Sequence, residues 1–184
     1  KAFVVGESMG GAVALTILHR NPKEFVDGAV LVVPMCRIAP QLMPHPVVVS
    51  VLTKLAILFP TWSIVPSKDL LDQTFKDQVS CDEAKLNPFR YTQKLRLATG
   101  LQLLQATQSI QNFAPNITTP FLVVHGAADV VTDPIASQEL YERAGSSDKT
   151  LRTYTGGWHF LWSEEEPIHS NFREDMKEWL AARW

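Results

Sequence analysis

Short apolar runs alternate along the chain with longer stretches of helical periodicity. Residues 2–5, 29–33 and 121–125 are short segments dominated by Val, Leu, Phe and Ala, closed by Gly6, Pro34 and Gly126, and only His125 among them is polar. Such runs predict strands buried on both faces, as in a parallel sheet. A fourth run at 151–154 is weaker and more polar. Between them lie predicted helices. Residues 9–20 are rich in Ala, Leu, Ile and Val, with Asn21 and Pro22 as the stop signal. Residues 134–144 open on Pro134 and close at Gly145. Residues 167–183 set Phe172, Met176, Trp179 and Leu180 at helical spacing.

Strands alternating with helices predict an α/β fold whose mainly parallel sheet is built by right-handed crossovers. The alternation stops at Cys36 and resumes after Pro115. Within 36–115 the pattern predicts an apolar helix at 46–59, a more polar helical region, and a Leu- and Gln-rich helix over about 91–112. This reads as a helical insertion, a cap over the carboxyl edge of the sheet, and it divides the chain into core (1–35), cap or lid (36–115) and core again (116–184). In the 46–59 helix, Ser50, Thr53 and Lys54 form one narrow polar stripe. At about 14 residues it is shorter than the about 20 needed to cross a bilayer. Three expectations attach to it: burial against its own domain, a wall for an acyl chain, or docking on a lipid surface.

Composition narrows the class. An apolar fraction of 46% and a charged fraction of 20% fit a globular domain with a sizeable core. A net charge of −2 argues against nucleic acid as partner. Cys36 and Cys81 form neither a metal-ligand nor a CxxC pattern, and no metal or organic cofactor is expected. Unpaired cysteines, and no signal peptide or membrane span to read in these residues, are compatible with a reducing, cytoplasmic setting, with peripheral membrane contact through 46–59.

Gly6-Glu7-Ser8-Met9-Gly10 is a GxSxG sequence lying between an apolar strand and an apolar helix. That context turns a short motif into a nucleophile elbow. Ser8 is expected on a tight, strained turn, with Gly6 and Gly10 needed because side chains there would collide. At a helix N-terminus, the Met9 N–H and the helix dipole can stabilise an oxyanion. A serine nucleophile needs a base, and the base needs a carboxylate. Asp129 follows the third strand and His159 the fourth, in the order Ser, acid, His expected of such a sheet. Asp133 competes as the acid, but Asp-Pro is a helix start and gives Asp133 a structural task. Among the other histidines, His19 reads as helix surface, His45 lies in the proline-rich approach to the cap, His125 reads as a buried histidine bonded to the loop, and His169 lies on the last helix. Glu7 reads as structural, and Glu164–Glu166 as a solvated acidic helix start.

At GESMGG, LVVPMC, HGAADVVTDP and GGWHFL the chain resembles the monoacylglycerol lipase group of α/β-hydrolases, and especially its plant-type caffeoylshikimate esterase and lysophospholipase-like members. The resemblance implies a Ser-Asp-His triad of Ser8, Asp129 and His159, hydrolysis of monoacylglycerols, and a lid at 36–115. Lysophospholipase, phenolic-ester esterase and acyltransferase activities are the alternatives, beside a non-catalytic fragment or binding protein. It also implies a longer sheet than the about four strands visible here, and an upstream loop carrying the second oxyanion donor. The chain is therefore expected to be an N-terminally truncated member. The strand at 2–5 would then expose an unpaired apolar edge.

Overall fold

The computed structural model describes residues 1–20, 25–66 and 69–184; the predicted helix stop at Asn21 and Pro22 lies outside them. Four parallel strands, β1 (Phe3–Glu7), β2 (Gly28–Val32), β3 (Phe121–Gly126) and β4 (Lys149–Tyr154), pair in the order β1-β2-β3-β4. In register, Val5 faces Val30, Val30 faces Leu122, and Leu122 faces Thr150. Side chains of a strand alternate between faces, so each central strand feeds two cores. Ala29, Leu31, Phe121 and Val123 pack against helices α1 (Met9–Arg20), α5 (Leu97–Phe113) and α6 (Pro134–Arg143). Val30, Val32, Leu122 and Val124 pack against Phe172 and Trp179 of helix α7 (Ile168–Ala181). That two-sided burial is why β2 and β3 read as continuous apolar runs. β4 is an edge strand, and its exposed Arg152 and Thr153 account for its weaker signal. At the other edge, Val5 of β1 is exposed.

Between β2 and β3 come helices α2 (Pro46–Leu58), α3 (Leu71–Thr74) and α4 (Gln78–Leu86), and then α5, which packs against both α2 and α1. α5 begins six residues later than the Leu/Gln periodicity predicts. The reason is a competing set of bonds: Leu97 N–H donates to the Trp62 carbonyl and Ala98 N–H to the Pro60 carbonyl, satisfying donors that a helix start leaves open. The chain before Leu97 is instead drawn across to residues 60–65.

α2 departs from the first of its three expectations. Of its residues only Ala56 is buried, while Ile57 and Leu58 are 75% and 71% exposed and Val47, Val48 and Val51 are also open to solvent. Among the described residues no helix is long and apolar enough to cross a membrane.

Candidate active site

The loops at the carboxyl ends of three strands converge. β1 ends at Glu7, and Ser8 turns directly into α1 with φ of 52°, in the left-handed region that a residue with a side chain rarely adopts. Backbone bonds hold it there. Ser8 N–H donates to the Val32 carbonyl at 2.9 Å, and the Ser8 carbonyl accepts from Gly11 N–H at 3.0 Å and Met35 N–H at 2.9 Å. A Cβ on Gly6 would lie 2.4 Å from the Gly10 carbonyl oxygen, so the turn requires glycine at 6. The expectation for Gly10 is corrected: a Cβ there would meet nothing within 4 Å. Gly11 is the second tight position, with its Cβ site 2.6 Å from Pro34 Cβ.

His159 lies between the other two groups. Its Nε2 is 3.0 Å from Ser8 Oγ and its Nδ1 is 2.7 Å from Asp129 Oδ2. With the ring proton on Nδ1 donated to the carboxylate, Nε2 is free to accept the Ser8 hydroxyl proton. Asp129 and His159 are both buried. The Asp129 carboxylate also accepts from the N–H groups of Val131 and Thr132 on Oδ1, at 2.7 and 3.1 Å, and from Thr132 Oγ1 on Oδ2 at 2.8 Å. Burial disfavours its charged form, but the hydrogen bonds from His125 and His159 outweigh that and hold the carboxyl well below the usual carboxylate range. Met9 N–H stands in the first turn of α1, where N–H groups have no intrahelical acceptor.

Asp133 caps α6, accepting from Ile135 N–H at 2.9 Å, and pairs with Arg37 at 2.8 Å; it takes no part in the Ser8–His159 line. His45 caps α2 through Val47 N–H, and His169 pairs with Glu166 at 3.5 Å. His19 departs from a surface reading, being half-buried and stacked on Phe113 with centroids 4.3 Å apart. The reading of the acidic run is corrected at Glu164 alone; Glu165 and Glu166 are exposed, and Glu166 accepts the Ser170 N–H of α7 at 3.3 Å. Glu164 is buried and accepts the Trp158 N–H at 2.5 Å, next to His159, so it fixes the histidine loop rather than opening a helix; α7 begins later, at Ile168. Glu7 accepts from Trp162 Nε1 at 3.1 Å, and burial raises its pKa above the usual carboxylate value.

One feature carries no sequence signal. Val33 has φ of 42°, a strained value for a β-branched residue, and its carbonyl oxygen lies 3.1 Å from Thr132 Oγ1. His125 fits its reading as a buried histidine bonded to the loop: its Nε2 lies 3.1 Å from the same Asp129 oxygen that faces His159. Burial pushes the Cys36 thiol up to about 12, so it stays protonated and a poor nucleophile. Among the described residues no group of three or more His, Cys, Asp or Glu could hold a metal ion.

Ser8 lines a cavity of about 620 Å³. Its walls are mainly apolar, with Val49 and Leu52 from α2 and Leu97, Leu101 and Leu104 from α5. Among the described residues, Lys94 is the one charged residue lining it.

A parallel sheet with a strained serine at a strand-to-helix turn, an acid after the next-but-one strand and a histidine after the last defines an α/β-hydrolase fold. The chain belongs to the Hydrolase_4 family, described as serine aminopeptidase, S33, which matches residues 1–166. It is 35% identical over 183 residues to the caffeoylshikimate esterase of Arabidopsis thaliana, covering 99% of this chain and 55% of that protein. It is 30% identical over 181 residues to the monoglyceride lipase of Homo sapiens, covering 98% and 58%. The chain thus spans little more than half the length of these relatives. Its fold is that of the Paleococcus ferrophilus monoacylglycerol lipase (TM-score 0.88, 22% identity, 99% of this chain and 68% of that one). It is likewise that of a soluble variant of the Saccharomyces cerevisiae monoglyceride lipase in complex with a substrate analog (TM-score 0.84, 23% identity, 98% and 62%).

Proposed function

We propose that the chain carries the catalytic machinery of a serine carboxylic ester hydrolase that acts on monoacylglycerols. The observation that carries this reading is the unbroken line Ser8 Oγ, His159, Asp129 at the side of a mainly apolar cavity. His159 Nε2 takes the Ser8 proton as Oγ attacks the ester carbonyl. The Met9 N–H is one donor to the oxyanion that forms. The tetrahedral adduct collapses as the ester C–O bond breaks, and His159 passes its proton to the departing glycerol oxygen. Water then attacks the acyl-Ser8 carbonyl, giving its proton to His159. The fatty acid leaves, and the proton returns to Ser8 Oγ. Asp129 holds the imidazole tautomer and stabilises the imidazolium, without itself being protonated.

Residues 36–115 form the lid of this enzyme. Val49 and Leu52 on the inner side of α2 face an acyl chain, and the exposed Ile57 and Leu58 meet a lipid surface. A second reading, hydrolysis of a phenolic ester with an anionic alcohol part, is favoured by one observation. Lys94 lines the cavity and, among the described residues, no carboxylate does.

The two readings separate on a panel of esters offered to the full-length natural protein. For a monoacylglycerol lipase, kcat/KM rises about fourfold per added CH2 until the cavity is filled, at about 0.8 kcal/mol each. Caffeoylshikimate and lysophosphatidylcholine then remain poor substrates. A preference for caffeoylshikimate over every monoacylglycerol would overturn the first reading in favour of the second.

A further inference from the structure

We infer that His125 is a positioning residue for the Asp129–His159 pair: its Nε2–H, oriented by Ser137, shares the carboxylate oxygen that faces His159 and so governs how strongly Asp129 holds the His159 imidazolium. This rests on the hydrolase reading above and deepens it.

The sharing is specific to one oxygen. Oδ1 of Asp129 takes the two backbone donors, Val131 and Thr132, which suffice to shape the loop. Oδ2 takes His159 Nδ1 at 2.7 Å, Thr132 Oγ1 at 2.8 Å and His125 Nε2 at 3.1 Å. On the far side of the ring, His125 Nδ1 lies 2.7 Å from Ser137 Oγ, on α6. A neutral imidazole with its proton on Nε2 satisfies both contacts, with the Ser137 hydroxyl donating to Nδ1 and Nε2–H donating to the carboxylate. The carboxylate, which can only accept, fixes the proton on Nε2, and Ser137 completes the arrangement by donating to Nδ1 and holding the ring. His125 and Ser137 are almost wholly buried. A space-filling role at this depth calls for an apolar side chain, because a buried imidazole is costly unless both nitrogens are bonded.

The titratable groups facing this cluster come from four elements. His125 stands on β3, Asp129 on the loop after it, His159 on the loop after β4, and Glu7 on β1, where it interacts electrostatically with His159. Each donor on Oδ2 withdraws charge from the oxygen that His159 sees. Removing the His125 N–H concentrates that charge on the His159 side. The imidazolium is then favoured, and the neutral base that Ser8 needs is available only at higher pH. The acid limb of kcat/KM must move upward.

The test compares wild type, His125→Leu, His125→Gln, Ser137→Ala and Ser8→Ala in the full-length natural protein. The readout is kcat/KM against pH for a soluble p-nitrophenyl ester, normalised to the fraction of sites that a fluorophosphonate can label, or, for Ser8→Ala, to total folded protein. His125→Leu is expected to move the acid limb up by about half a pH unit or more. His125→Gln, whose amide offers both a donor and an acceptor, restores the wild-type limb. Ser137→Ala, which leaves the imidazole in place but unoriented, moves the limb in the same direction and by less. Ser137→Ala also keeps the question answerable if the leucine variant fails to fold. A loss of activity with the limb unmoved in His125→Leu and Ser137→Ala, or a glutamine variant no better than leucine, overturns the inference and leaves the hydrolase reading standing. Full activity in Ser8→Ala overturns that reading and this inference with it.

Discussion

At Ser8 the backbone is held in a conformation that costs energy, and the cost is local. A left-handed φ in a residue with a side chain carries about 1–3 kcal/mol. It persists because three backbone hydrogen bonds from β2, α1 and the loop after Val33 fix the turn from three directions. Gly6 and Gly10 look equivalent in GxSxG, yet the fold treats them differently. A methyl group at 6 drives into the Gly10 carbonyl, whereas one at 10 enters open space on a helix. Gly6→Ala should therefore lose about 1–3 kcal/mol of folding free energy through overpacking. Gly10→Ala should be neutral or gain up to about 1 kcal/mol from helix propensity. Urea unfolding of the two variants checks this, and equal losses would show that the turn is not limited by the Gly6 contact. The motif spacing made the serine legible and the glycines only half so, since which of two glycines faces a backbone depends on how the helix leaves the strand.

Among the elements, α2 is the one whose role its own sequence leaves open. Its residues are apolar nearly all round, a pattern shared by a helix buried in protein and one that faces lipid. What decides is the neighbour, and α5 covers only one side. The same dependence on distant partners hides the start of α5, where carbonyls from 60–62 take the first donors, and the burial of Glu164, whose partner is the Trp158 N–H. By contrast β2 and β3 were plain, because burial on both faces makes 29–32 and 121–124 continuous apolar runs. The exposed end of α2 yields a direct expectation. Replacing Ile57 and Leu58 by Glu should weaken binding of the full-length protein to phosphatidylcholine vesicles by about tenfold or more, since each apolar side chain contributes about 1.5–3 kcal/mol on full burial. Hydrolysis of a soluble short-chain ester should be unchanged. Vesicle co-sedimentation reads the first quantity, and unaltered partition would remove lipid contact from the role of this helix.

Across the whole molecule, a parallel sheet brings residues distant in the chain to one edge. Ser8 and His159 are 151 positions apart, yet their side chains meet at 3.0 Å because β1 and β4 both point their carboxyl ends at the same place. Their order along the chain was readable, since each follows an apolar run. His125 was readable as a buried histidine bonded to the loop, but its sharing of the Asp129 oxygen that faces His159 was not, because only the folded loop after β3 brings that carboxylate against its ring. At the opposite side of the sheet, the hydrogen-bonding edge of β1 is open in these residues and Val5 is exposed, so an unpaired apolar strand borders Ser8. Measurements of activity accordingly belong on the full-length natural protein. The most direct of them is covalent labelling by a fluorophosphonate, located by mass spectrometry. A serine made nucleophilic by His159 should carry one adduct, on Ser8. Labelling should vanish in Ser8→Ala and slow by about a thousandfold or more in His159→Ala. An adduct on another residue, or labelling that survives Ser8→Ala, would contradict the assignment of Ser8 as the nucleophile.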